Sequence, residues 1–272
     1  MVTLLLTQVA WAATPVRTWD LDLAYKVYFG GLHVVDLDVE IAIKPQRYNV
    51  IANLQSIGIV GRLLPWWMKA YSNGEIGGKN VTPISAGQRN SWRGRERFVE
   101  ITFTDGIANV QRVLPEPEND DRTQVPQGMR TGVLDLTSGI ISVIWRMQDN
   151  EACEATLPVF DGRRRYDLVF LHGGKHKLHA NGYTPFVGHT IVCQLSVQKK
   201  AGFKQTDRSG WNDGDRRATV WMGKPFPNAP PLPIRMTLDT PFGGLVAHLS
   251  AAMCEANGQK VRLTRKTEVG NK

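Results

Sequence analysis

The sequence predicts a mainly β protein: a strongly curved antiparallel sheet, an open barrel or β-spiral, with one or two helices packed inside or across it. Three observations carry this. Apolar and polar residues alternate through most of the chain with a period of two, the side-chain period of a strand. Turn signals of the hairpin type, Gly30-Gly31, Asp105-Gly106 and Asp161-Gly162, separate the alternating runs. One stretch, 135–148, breaks into helical spacing instead. Alternation leaves one face of each strand dry, and bending such a sheet encloses an apolar cleft.

The elements follow in order. Leu21, Leu23, Tyr25, Val27 and Phe29 share one parity against Asp20, Asp22 and Lys26. Past Gly30-Gly31, Val35, Leu37, Val39, Ile41 and Ile43 oppose Asp36, Asp38, Glu40 and Lys44, so the two runs form a hairpin that Pro45 ends. Tyr48, Val50, Ala52 and Leu54 continue as a third strand. Segment 57–71 carries apolar residues on every side. It reads either as a lid or membrane-touching loop anchored by Trp66 and Trp67, or as a plug covering one end of the sheet. Asn73-Gly74, Gly77-Gly78, Pro83 and Gly87 predict short strands with tight connections over 72–92. Val99, Ile101 and Phe103 form a strand, and 107–113 return from the Asp105-Gly106 turn. Residues 115–130, rich in proline and carboxylates, read as a solvated loop.

The helix spans 135–148, with Asp135 or Thr137 as its cap and Ile140, Ile141, Ile144, Trp145 and Met147 as its apolar stripe. After it comes a hairpin over 153–171, in which Tyr166, Leu168 and Phe170 oppose Arg163, Arg165 and Asp167. Further strands follow at 190–197, 218–222 and 234–238, with a last apolar run at 245–254. Without a repeat or a clear linker, 13–265 reads as a single β-rich domain and 266–272 as a flexible tail. Residues 1–12 read as a truncated signal peptide. Val2–Val9 is apolar and Ala10-Trp11-Ala12 fits a small-x-small cleavage site, but the positive n-region is missing, and a buried first strand is the alternative.

The 272 residues are 42% hydrophobic and 21% charged, as in a folded globular chain, with a formal net charge of +8. No nucleic-acid motif accompanies that charge, so nucleic acid is not an expected partner. Nucleophile elbows, phosphate loops and dinucleotide fingerprints are absent, and no cofactor is expected. Of the three cysteines, the expected disulfide joins Cys153 to Cys193 and leaves Cys254 over; three buried reduced thiols are the alternative. His172, His176 and His179 have a spacing that would converge on a helix, but here they follow a strand around Gly173-Gly174. A hairpin tip is therefore expected rather than a metal site. Arg163, Arg164 and Arg165 form the densest charge cluster, an arginine fork for an anionic group or simply partners of Asp161 and Asp167.

The strand–helix–strand order, the phrase Val159-Phe-Asp-Gly-Arg-Arg-Arg-Tyr-Asp-Leu168, and Gly188 followed by Cys193 resemble domain of unknown function 3108, a family of exported bacterial proteins. The Tyr25–Gly31 hairpin and the Asp135-Leu-Thr-Ser138 helix start fit it as well. The resemblance covers most of 20–250. It implies a periplasmic location and a curved antiparallel sheet; it implies no reaction and carries over no catalytic residues. The resulting expectation is a non-enzymatic periplasmic protein that binds a lipid, a peptide or an envelope protein and supports cell-envelope integrity, with possible peripheral membrane contact. Candidate contact residues are Trp66, Trp67, Trp145 and Arg163–Arg165. The alternatives are a hydrolase acting on an envelope polymer and a metal-binding module.

Overall fold

The computed structural model describes residues 18–116, 122–148, 151–204, 218–227, 229–240, 243–256 and 258–264. The segments read as a signal peptide (1–12) and a tail (266–272) lie outside the described residues.

Among the described residues, fourteen antiparallel strands form one sheet, nearly closed into a barrel, with two helices. In chain order the first seven elements are β1 (Trp19–Phe29), β2 (Leu32–Lys44), β3 (Arg47–Ser56), α1 (Gly58–Leu63), β4 (Trp66–Gly77), β5 (Asn80–Trp92) and β6 (Arg95–Thr104). Next come β7 (Ile107–Leu114), a 3₁₀ turn (Gln127–Arg130), α2 (Leu136–Arg146), β8 (Ala155–Phe160), β9 (Arg165–Leu178) and β10 (Gly188–Ala201). The last four are β11 (Ala218–Gly223), β12 (Leu232–Thr240), β13 (Gly243–Ala256) and β14 (Gln259–Leu263).

The first seven strands form a meander, and so do β8 to β13. The meanders join where β1 pairs β13, so the order across the sheet runs from β7 through β1 and β13 to β8. Beyond the reach of β12, β14 takes over the second edge of β13.

The two sheet edges, β7 and β8, are bridged by the chain leading into α2. Thr131 bridges Ile107 and Leu134 bridges Val159; Gly132 N–H donates to Gly106 O at 2.8 Å, and Leu134 exchanges bonds with Pro158 and Phe160, both at 2.8 Å. The seam has its own small core of Val99, Ile101, Ala108, Val125, Val133 and Phe160. Gly162, at φ +88°, fits there because a Cβ would lie 2.2 Å from Val99 Cγ1.

Three sequence expectations are corrected here. Segment 57–71 is not a loop: it is α1 followed by the start of β4. The stretch 72–92 is not several short strands but most of two long ones joined by one turn at Gly78. Asn73-Gly74 lies in mid-strand, where a Cβ on Gly74 would stand 2.7 Å from the Tyr48 ring and 2.2 Å from Thr82 O. Pro83 sits at a register shift, a place where a strand tolerates a residue without an N–H. Gly87 lies beneath the Tyr71 ring. Likewise, His172 and His176 are not at a hairpin tip, since β9 runs through Gly173-Gly174 to Leu178. β14 had no counterpart in the sequence reading.

Cys153 and Cys193 are disulfide-bonded, with Cα atoms 6.0 Å apart, while Cys254 is buried and free. Cys193 lies on β10 opposite His172 of β9, so the bond ties the lead-in of edge strand β8 across β9 to β10. A disulfide of this kind marks an extracytoplasmic, oxidising environment. Among the described residues, no helix is long and apolar enough to cross a membrane.

Candidate functional site

The site begins with where α2 is fastened. Asp135 caps the helix: its Oδ1 accepts the N–H of Thr137 at 3.0 Å and of Ser138 at 3.1 Å. Its Oδ2 accepts the hydroxyls of Ser72 at 3.0 Å and of Ser138. Ser138 Oγ and Tyr48 Oη are 2.6 Å apart, and Ser138 Oγ and Ser72 Oγ 2.9 Å. All four residues are buried. This network pins the N-terminus of α2 to the start of β3 and the middle of β4. At the other end, Trp145 Nε1 donates to Gly78 O at 2.8 Å and its ring meets Trp19 edge-on at 6.1 Å.

The helix therefore fills the half of the barrel between Ser72 and the β4–β5 turn. In the other half, beyond Asp135, no helix among the described residues lies against the concave face of β1–β6. There lies an apolar cleft of about 260 Å³. Leu37, Leu54, Met68 and Ala70 line it from the sheet; Leu136 and Ile140 line it from the helix. Its far wall includes Pro233 and Met236 of β12, held by a hydrogen bond of 3.0 Å from Tyr25 Oη to Pro233 O. The helical stripe 136–140–144 records the geometry directly: exposure is 44% at Leu136, 40% at Ile140 and 3% at Ile144. One apolar face thus runs from open space at its N-terminus into solid core at its C-terminus.

Burial pushes the Asp135 carboxyl above its usual range despite four hydrogen bonds, and burial likewise pushes the Tyr48 hydroxyl up to about 12. The group has no imidazole, and both carboxylate oxygens and the two serine hydroxyls are engaged with one another. Its evident chemistry is to hold α2 at one height in the barrel.

The candidate contact residues are distributed around this cleft rather than gathered in it. Trp66 pairs Trp92 in the β4–β5 ladder, on the parity of Met68, at the end of the cleft away from α2. Trp67 has the opposite parity and lines a separate groove with Asp38, Asn53, Lys69 and Arg89. Trp145 closes the far pole. Arg164 is bound by Asp161, with Nε at 2.8 Å and Nη2 at 2.7 Å from Oδ2. Arg165 binds Asp167 at 2.5 Å, where Lys200 joins it at 3.1 Å. Arg163 donates to Pro115 O and borders a separate hollow at the seam with Arg112, Glu116 and Arg130. None of the three arginines lines the cleft.

His172, His176 and His179 are exposed, and among the described residues no group of three or more His, Cys, Asp or Glu is placed to hold a metal ion. Sequence reasoning missed the roles of Leu136, Leu54 and Met68. It also missed Ser72 and Tyr48 as partners of the helix cap. The alternation of β3 and β4 does place Leu54 and Met68 on the dry face, but it does not say where along the strands the helix stops.

Comparison with known proteins bears on fold and family. A family model described as protein of unknown function (DUF3108) matches residues 24–250. The crystal structure of a β-barrel-like protein of domain of unknown function DUF1849 from Brucella abortus superimposes with a TM-score of 0.50 at 10% sequence identity. The match covers 90% of this chain and 99% of that one, a likeness of fold alone. A search of curated proteins returned no match.

Proposed function

The chain belongs to the DUF3108 family of proteins of unknown function, and from there we propose that it is a non-enzymatic periplasmic protein that binds an apolar or amphiphilic ligand in the half-barrel cleft and so supports cell-envelope integrity. One observation carries this: the α2 stripe leaves Leu136 and Ile140 unburied inside an apolar hollow walled by seven strands, β1–β6 and β12. Apolar side chains left uncovered in a concave site mark a ligand surface more often than an exposed residue elsewhere does. An acyl chain or another small hydrophobe suits it, because the cleft holds about 260 Å³ and its lining is mostly apolar. Burying such a chain favours binding by about 0.8 kcal/mol per methylene.

The disulfide supports the location, as do the apolar Val2–Val9 run and Ala10-Trp11-Ala12 in the sequence. A hydrolase draws no comparable support. The buried Asp135 carboxylate is already engaged by four hydrogen bonds from Ser72, Thr137 and Ser138.

Native mass spectrometry of detergent-free protein tests the proposal. The protein should carry a small apolar adduct, or take up added dodecanoate after organic extraction and refolding. A bare mass in both cases refutes it.

A further inference from the structure

At the pole nearest Leu37, Leu54 and Met68, three connections lie side by side: the β1–β2 turn, α1, and the β5–β6 turn. Two backbone bonds knit them together, Ile57 N–H to Val34 O at 3.0 Å and Arg93 N–H to Pro65 O at 3.2 Å. Their most prominent side chains are apolar: exposure is 54% at Leu32, 67% at Ile59, 74% at Leu63 and 47% at Trp92. No residue of α1 is buried. A six-residue helix gains little by itself and is normally held by an apolar face packed on its neighbours. Here two of its large apolar side chains point to solvent instead, so packing among the described residues does not explain them.

The second feature of the pole is its charge. Arg62, Arg93, Arg95 and Arg97 are all exposed there, and among the described residues none of them forms an ion pair. The one carboxylate in the same stretch, Glu96, is taken by Arg89 at 2.6 Å. Arg93 also lies over the Trp92 ring, 5.9 Å from its centre. Strand alternation gives Arg95 and Arg97 the parity of Val99 and Ile101, which line the cleft. Trp92 pairs Trp66, two residues before Met68 on the same face. The apolar and cationic rim is thus continuous with the cleft.

Protruding apolar side chains set among unpaired guanidinium groups complement an anionic bilayer: the apolar groups enter the acyl boundary while the arginines stay at the phosphates. We propose that this pole docks on an anionic lipid surface and that the ligand of the cleft passes between bilayer and protein there. The docking stands on the pole alone; the transfer rests on the cleft reading above.

Co-sedimentation of the full chain with phosphatidylcholine vesicles, with and without phosphatidylglycerol, tests it. The protein should pellet with the anionic vesicles, and salt should weaken the binding. Arg93→Glu with Arg95→Glu should lower the affinity by about tenfold or more, as expected for cationic groups acting at a charged surface. Ile59→Glu with Leu63→Glu should lower it comparably, and because all four positions are exposed both variants should keep the wild-type denaturation midpoint. The proposal is overturned if the wild type stays in the supernatant, or if both variants bind as it does. It is also overturned if the rim variants instead abolish a dimer seen in sedimentation velocity, which would assign the pole to a second copy. Dodecanoate uptake in the absence of vesicles separates the two readings: uptake without vesicle binding sinks the docking and the transfer but not the cleft, and vesicle binding without uptake sinks the cleft and the transfer but not the docking.

Discussion

Ile140 and Ile141 are adjacent in sequence, identical in chemistry and placed on the same helix, yet the structure buries them very differently. Ile141 is 1% exposed, part of the main core that backs the cleft, and Ile140 is 40% exposed in the cleft. Truncating a fully buried isoleucine to alanine loses its transfer free energy and leaves a cavity, at a cost of about 2–5 kcal/mol. Ile140 is only partly covered and borders an existing hollow, so Ile140→Ala loses part of the transfer term and creates no new enclosed cavity, a cost of about 1 kcal/mol or less. For binding the order reverses. Ile140→Glu places a carboxylate against any apolar ligand and should abolish uptake of a fluorescent naphthyl probe. Ile141→Val, a mild core change, should leave uptake intact while costing about 0.5–1.5 kcal/mol. Urea denaturation followed by tryptophan fluorescence measures the first quantity, and probe titration the second. Equal destabilisation by the two alanine variants would refute the half-filled barrel; undiminished probe binding by Ile140→Glu would refute the cleft as the site.

Three further outcomes follow from the same structure. Cys153→Ser removes a bond closing 40 residues of chain, worth about 4 kcal/mol in the chain-entropy model, and the urea midpoint should fall accordingly; reduced wild type should match the variant. Gly74→Ala drives a methyl into the Tyr48 ring and should destabilise by at least about 1–3 kcal/mol, whereas Tyr48→Phe keeps the ring and loses only its hydrogen bonds, about 1 kcal/mol, both read by thermal denaturation. The third outcome concerns His248, between Arg235 and Lys26 on neighbouring strands and stacked on Tyr183 at 4.9 Å; burial, helped by Arg235, lowers its pKa from 6.5 to about 4. The unfolded imidazole gains its proton near 6.5 and the folded one only near 4, so stability should fall as pH drops through that window, and His248→Gln should flatten that slope.

Much of the fold was legible because most strands keep their alternation undisturbed between turns that need unusual backbone. Gly30 at φ +55°, Gly31 at +84°, and Asp105 and Gly106 at +53° and +75° turn the chain where the sequence placed the turns. Asp135 was readable as a cap because its side chain acts on its own neighbours in sequence. β4 and β5 were misjudged because Gly74, Pro83 and Gly87 serve tertiary needs: room for Tyr48, a register shift, and a seat for Tyr71. These look locally identical to turn residues. The cleft was hidden for a related reason. Ile140 belongs to the apolar stripe by spacing, but whether that stripe meets side chains or open space depends on the height of α2 in the barrel. That height is set by Ser72 and Tyr48, 66 and 90 residues away from Ser138.

The most direct measurement is methyl NMR of protein labelled at isoleucine and methionine, titrated with dodecanoate in the absence of detergent. Saturable shifts should appear at the methyls of Ile140 and Met68, with Ile234, fully buried beyond the cleft lining, unmoved. Shifts confined to methyls on the convex face or at the seam, or none at any concentration, would contradict a ligand-binding cleft above α2.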